Sequence, residues 1–223
     1  ARAGAEVVAV GRSSMDETKM QVEAAGGTCI PHAADLSDMD AVDTLLPEIW
    51  NRHGPVDILV NNAGIIRRAD AVEFSEEDWD AVMDVNIKAA FRLCQALGRK
   101  ALETGREARI VNIASVLSFQ GGIRVASYTA SKHALLGITR LLANEWAARG
   151  INVNAIAPGY IVTNNTAALR QDPDRSTDIL KRIPAGRWGK PEDIGGTAVF
   201  LASDAANYLH GSVIAVDGGW LAR

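Results

Sequence analysis

Residues 54–64 read Gly-Pro-Val-Asp-Ile-Leu-Val-Asn-Asn-Ala-Gly. A glycine opens a short apolar run, and the run stops at small and polar residues. Glycine just past a helix end accepts the left-handed conformation that closes the last turn, so Val56–Val60 reads as a strand entered from a helix. The phrase recurs: Gly4 precedes Glu6–Val10, Gly105 precedes Arg109–Ala114 and Gly150 precedes Ile151–Ala157. These runs are nearly continuous rather than alternating, as in strands covered on both faces. Helix starts lie between them. Ser37 with Asp40, and Ser75 with Asp78, have the spacing of a side-chain cap with an acid in the first turn. Strands alternating with helices predict right-handed crossovers and an α/β fold, a doubly wound parallel sheet, in a single domain over residues 1–223.

In such a sheet the carboxyl ends of the strands share one edge, where open α/β sheets bind ligands. Here those ends are Asp35-Leu36 after Thr28–Ala34, Asn61 to Gly64, Ser115 after Arg109–Ala114, and Pro158-Gly159 after Ile151–Ala157. Small and polar residues at four strand ends point to one site. Composition removes other function classes. Against 27 acidic residues stand 23 basic ones, net charge −4 with no basic block, which disfavours nucleic acid and anionic membrane as partners. No apolar run reaches the roughly 18 residues that span a bilayer. Cys29 and Cys94 lack CxxC spacing, as in a protein of the reducing cytoplasm. The four histidines show no HxxxH pattern, so no metal centre is expected.

Tyr128 and Lys132 are four residues apart at the start of the helix running to about Arg149, which places both on one face. A free tyrosine, with a pKa near 10, is a poor base at neutral pH, and a nearby ammonium favours the phenolate. Ser115 closes a buried strand whose end should face that helix, where its hydroxyl can hydrogen-bond a carbonyl while Tyr128 moves the proton. Asn86 lies on an apolar helical stripe of Trp79, Met83, Ile87, Ala90 and Cys94. A buried amide must be satisfied, so it either ties down backbone or holds a water.

Asn61-Asn62-Ala63-Gly64, Asn86, Ser115, Tyr128-x-x-x-Lys132 and Pro158-Gly159 together resemble the motif series of the short-chain dehydrogenases/reductases, in that family's order. The resemblance implies a Rossmann-like fold and hydride transfer between a nicotinamide cofactor and an alcohol/carbonyl pair. It implies Tyr128 as general acid/base, Ser115 as the group polarising the carbonyl, and Lys132 lowering the tyrosine pKa while holding the nicotinamide ribose. Asn86 would position a relay water. Asp35 and Leu36 would flank the adenine, Asn61, Ala63 and Gly64 would line the cofactor with Pro158 and Gly159, and Thr163 would reach the carboxamide. A homotetramer is also implied. None of the 20 glycines fits the family's phosphate-binding patterns GxxxGxG or GxGxxG. The expectation is therefore that the first strand and its glycine-rich turn lie upstream of Ala1, leaving the strands at 6–10 and 56–60 about two strand spacings apart.

Several segments, among them Asn61 to Arg68, Ser118 to Val125 and Arg182 to Gly189, look closest to the subgroup acting on sugar acids such as 2-dehydro-3-deoxy-D-gluconate or 2-deoxy-D-gluconate. Gluconate 5-dehydrogenase and 3-oxoacyl reductase chemistry are the alternatives within the family, and a catalytically dead binding protein the one outside it. Arginine binds carboxylates bidentately, which nominates Arg67, its neighbour Arg68 and Arg124; Gln120, Asn164 and Asn165 are candidates for sugar hydroxyls. Residues 160–190 are expected to cover the substrate. For the cofactor, Gly11-Arg12-Ser13 offers no acid for a ribose hydroxyl, and Arg12 suits a 2′-phosphate. The subgroup favours NAD, so NAD is expected with NADP possible.

Overall fold

Gly54, Gly105 and Gly150 each follow a helix with φ of +93°, +66° and +78°, as the helix–glycine–strand reading requires. The computed structural model describes all 223 residues, which form two compact units, Ala1–Gly54 and Pro55–Arg223. In the first, β1 (Val7–Gly11) runs parallel to β2 (Cys29–Ala33), with α1 (Asp16–Ala24) between them and α2 (Met39–His53) following. The helix α2 buries Val42, Leu45, Leu46 and Ile49, the i, i+3, i+4, i+7 stripe of an amphipathic helix. Its cap differs from the expected Ser37. The Asp38 carboxylate accepts from the Asp40 and Ala41 amides at 3.0 and 3.4 Å, while the Ser37 hydroxyl donates to Asp35 at 2.7 Å.

In the second unit four parallel strands lie in the order β3 (Ile58–Asn61), β4 (Ala108–Ile113), β5 (Ile151–Pro158) and β6 (Val213–Val216). Register pairs Asn61 with Asn112, Ile113 with Ile156 and Pro158 with Val216, which brings the strand-end motifs to one edge. Every residue from Ile151 to Ala157 is buried, as a strand covered on both faces demands. The long helix α5 (Ala126–Trp146) packs its Leu136 on Ala114, Ala155 and Ala157. Another cluster joins Val111 and Ile156 to Leu201.

The helix that the Ser75 cap opens and the Trp79–Cys94 stripe follows is interrupted. It runs as α3 (Glu76–Met83), a π turn at Asp84–Ala89, and α4 (Ala90–Thr104). The Ser75 hydroxyl caps α3 at the Asp78 amide, as the spacing indicates. The wide π turn shifts the phase of the side chains, so the buried face passes through Val82, Asn86, Ala89, Ala90, Leu93, Cys94 and Leu97. Trp79, placed on the apolar stripe by sequence, is instead 40% exposed. After β5 come the short α6 (Ala167–Gln171), α7 (Pro173–Arg182) and α8 (Pro191–Leu201). No helix is long and apolar enough to cross a membrane.

Candidate active site

At the end of β4 the chain turns through Ser115, whose hydroxyl accepts from the Leu117 amide at 3.1 Å and caps a short 3₁₀ turn. Ser118, in that turn, donates to the Lys132 carbonyl at 2.7 Å and so fastens the strand end to α5. Lys132 and Tyr128 occupy one face of α5. The Lys132 ammonium is buried, donates to the Ile113 carbonyl at 2.6 Å, and lies 5.6 Å from the centre of the Tyr128 ring. Burial brings its pKa down to about 8. Tyr128 is raised above its ordinary value by burial, the larger influence; a hydrogen bond with the Ser115 hydroxyl and the charge of Arg68 pull in the opposite direction. The expected lowering by Lys132 is not what sets this balance: in this arrangement desolvation of the phenolate dominates.

Asn86 reaches across from the π turn. Its amide accepts from the Ile65 N–H at 2.8 Å and donates to the Ile65 carbonyl at 2.9 Å and to Ser131 Oγ at 3.2 Å. Ser131 in turn donates to the Tyr128 carbonyl at 2.8 Å. The amide therefore ties the backbone after β3 to the Tyr128 turn. Gly64 lies beside both groups: a Cβ there would stand at ordinary contact distance, 3.4 Å from Asn86 Oδ1 and 3.7 Å from Lys132 Nζ. Gly159 is the sterically constrained one, because a Cβ would meet Asp217 Cα at 2.6 Å. The Asn61 side chain, a candidate to line the cofactor, is turned into the core instead. It donates to Asn112 Oδ1 at 2.8 Å and to Cys94 Sγ at 3.2 Å, and burial pushes the Cys94 thiol up to about 12.

Ser115 and Tyr128 open on a cavity of about 300 Å³. Gln120 and Asn165 line it, as the sequence suggests, but Arg67, Arg124 and Asn164 do not. Arg67 pairs with Asp78 at 3.0 Å and Arg124 with Asp70 at 2.9 Å, both on the surface. The guanidiniums that do line it belong to Arg68, which donates to the Asn165 carbonyl at 3.0 Å, and to Arg175 and Arg182 of α7. Tyr160 and Trp220 complete the wall. The α7 pair escaped the sequence reading, although Arg175, Ile179 and Arg182 have the spacing of one helix face. Thr163 heads a 3₁₀ turn, its carbonyl accepting from Thr166 Oγ1 and Arg170. In the first unit, Arg12 pairs with Asp35 at 3.6 Å. The Asp35 carboxyl is held low mainly by its bonds from the Ser37 amide and hydroxyl, then by Arg12, against burial; Leu36 beside it is half-buried.

Residues 1–221 match the family model described as Enoyl-(Acyl carrier protein) reductase. The 2-dehydro-3-deoxy-D-gluconate 5-dehydrogenases of Dickeya dadantii (strain 3937) and Escherichia coli (strain K12) are 58% and 56% identical over 223 residues, 100% of this chain and 88% of each relative. The chain belongs to the short-chain dehydrogenase/reductase family. Solved structures of the family agree with the fold. One from Agrobacterium tumefaciens with bound NADP, provisionally assigned as a 2-deoxy-D-gluconate 3-dehydrogenase, is 60% identical with a TM-score of 0.95, covering 100% of this chain and 89% of that one. The gluconate 5-dehydrogenase of Burkholderia cenocepacia J2315 in complex with NADP and tartrate is 36% identical with a TM-score of 0.93, covering 99% and 87%. The chain is thus a Rossmann-like NAD(P)-dependent oxidoreductase acting on CH–OH groups of a sugar acid.

Proposed function

We propose that the protein interconverts a secondary hydroxyl and a ketone on a six-carbon sugar acid, with 2-dehydro-3-deoxy-D-gluconate as the alcohol. The observation that carries this is the lining of the cavity, where the Ser115 and Tyr128 hydroxyls share one space with the guanidiniums of Arg68, Arg175 and Arg182. A polyhydroxy acid needs hydroxyl partners, for which Gln120 and Asn165 are placed, and a cation for its carboxylate. The relatives at 58% and 56% identity bear the name of that activity.

The residues present fit a nicotinamide dinucleotide at the ribose. Lys132 is a buried ammonium with one protein acceptor, the Ile113 carbonyl, so donors remain for ribose hydroxyls, and Gly64 leaves the space beside it open. When bound, the nicotinamide supplies the two-electron acceptor. Tyr128 Oη takes the hydroxyl proton in oxidation and returns it in reduction. Ser115 Oγ hydrogen-bonds the same substrate oxygen and holds it toward Tyr128. Arg68 favours the phenolate by its charge, and Asn86 keeps the loop after β3 and the Tyr128 turn in register, with an Oδ1 lone pair left for a relay water. Residues 160–190 cover the substrate, and Pro158, Gly159 and Thr163 line the nicotinamide side.

In the first unit Asp35 and Leu36 are assigned to the adenosine, with NAD as cofactor and NADP accepted through Arg12. The protein is further assigned to the cytoplasm as a homotetramer, with Trp79 on α3 and Leu141 on α5, 40% and 48% exposed, among the residues covered on assembly. A panel of keto sugar acids read by reduced-nicotinamide absorbance tests the substrate. Repeating it with both cofactors tests Arg12: Arg12→Ala should lower kcat/KM for NADP more than for NAD, and no change with either removes Arg12 from cofactor choice.

A further inference from the structure

The helix α7 is fixed at both ends and in its middle. The Asp172 carboxylate accepts from the Asp174 and Arg175 amides at its start, and Arg223 donates to the Lys181 and Arg182 carbonyls at its end. Between them Ile179 is buried against Val116, Ile183 and Trp220. Arg175 and Arg182 lie four residues before and three after Ile179, so burying that side chain turns both guanidiniums to the cavity edge. Arg182 is held further, its guanidinium stacked 3.9 Å over the Trp220 ring. Trp220 is itself anchored, donating from Nε1 to Gln120 Oε1 at 2.8 Å and packing 4.6 Å from Tyr160. Stacking occupies the face of a guanidinium and leaves its in-plane N–H edge available for a bidentate anion. Neither arginine has a carboxylate partner; the cavity's own acid, Asp178, pairs with Lys181 at 3.8 Å.

We infer that Arg175 and Arg182 form the seat for the substrate carboxylate, placing the acid group against α7 and Tyr160 while Ser115 and Tyr128 receive the reacting carbinol. The cavity is therefore two-ended. Burial raises both tyrosines above their ordinary value; at Tyr160 the charges of Arg175 and Arg182 oppose it, and at Tyr128 the Ser115 hydroxyl and the charge of Arg68 do. Discrimination between a sugar acid and its uncharged counterpart resides in α7, not in the catalytic group. The inference rests on the reading of the chain as a sugar-acid oxidoreductase, so its test is a binding measurement separate from turnover.

D-Gluconate and the uncharged D-glucitol are titrated calorimetrically into the full chain holding reduced nicotinamide, where an alcohol has no hydride acceptor. Wild type should bind gluconate at least tenfold more tightly than glucitol. Arg175→Gln and Arg182→Gln should each remove most of that preference, about tenfold or more for one charged hydrogen-bonded contact, and Arg175→Lys should restore part of it. An unchanged preference in both variants, equal weakening of both ligands, or no preference in wild type overturns the seat. A preference that the variants abolish in a protein with no hydride transfer from or to any sugar acid upholds the seat and refutes the catalytic reading.

Discussion

Tyr128 is the residue on which opposing influences meet: burial favours the neutral phenol, while the Ser115 hydroxyl and Arg68 favour the phenolate. As a general acid in ketone reduction it is ready at neutral pH; as a base in alcohol oxidation it works better as pH rises. Tyr128→Phe removes the hydroxyl and keeps the ring, so turnover should fall by about 10²–10⁴ with little change in melting temperature. Turnover within tenfold of wild type would take Tyr128 out of proton transfer. Arg68→Gln removes one of the influences that lower the Tyr128 pKa. The acid limb of the kcat profile for alcohol oxidation should therefore move to higher pH, and a profile that stays in place would separate Arg68 from the tyrosine. Tyr128, Lys132 and Ser115 were legible in the sequence because a four-residue helical spacing and a strand end are local facts. The arginines were not. Arg67, Arg68 and Arg124 look alike in sequence, and only the positions of Asp78 and Asp70 decide that two of them are paired on the surface.

At the scale of elements, α5 holds a buried ammonium against the carbonyl end of β4. Burial lowers Lys132 from its ordinary 10.5 to about 8. Between those two pH values the unfolded chain binds more protons than the folded one, so this group makes the protein more stable as pH rises from about 8 to 10.5. Below about 8 its cost is fully present. Without bound cofactor, Lys132→Met should therefore melt higher than wild type at pH 7, and the gap should narrow toward pH 10; a gap independent of pH would contradict the burial cost. The strand-and-helix alternation was readable because apolar runs and closing glycines are written locally. Strand bounds differ by only one or two residues from those expected, as in β3 at Ile58–Asn61. The π turn at Asp84–Ala89 was not readable, since nothing in its composition marks the extra residue. Its effect appears only in which residues reach the core, Val82 and Asn86 rather than Trp79.

For the whole molecule, the exposed apolar side chains of Trp79 on α3 and Leu141 on α5 are the ones that the proposed homotetramer would cover. Closed symmetric assemblies are the common state of soluble oligomers, and light scattering at micromolar concentration should return four times the 23.7 kDa chain mass. A monomer mass would refute the tetramer. In the proposed function, one cavity joins a Ser115–Tyr128–Lys132 proton-transfer site to arginines that hold a sugar acid. The most direct test is the appearance of reduced nicotinamide when the purified protein meets 2-dehydro-3-deoxy-D-gluconate and oxidised cofactor. The expected result is sustained turnover with the acid and at least tenfold lower kcat/KM with an uncharged analogue. Equal rates on both, or none on any sugar acid with either cofactor, would contradict the proposed function.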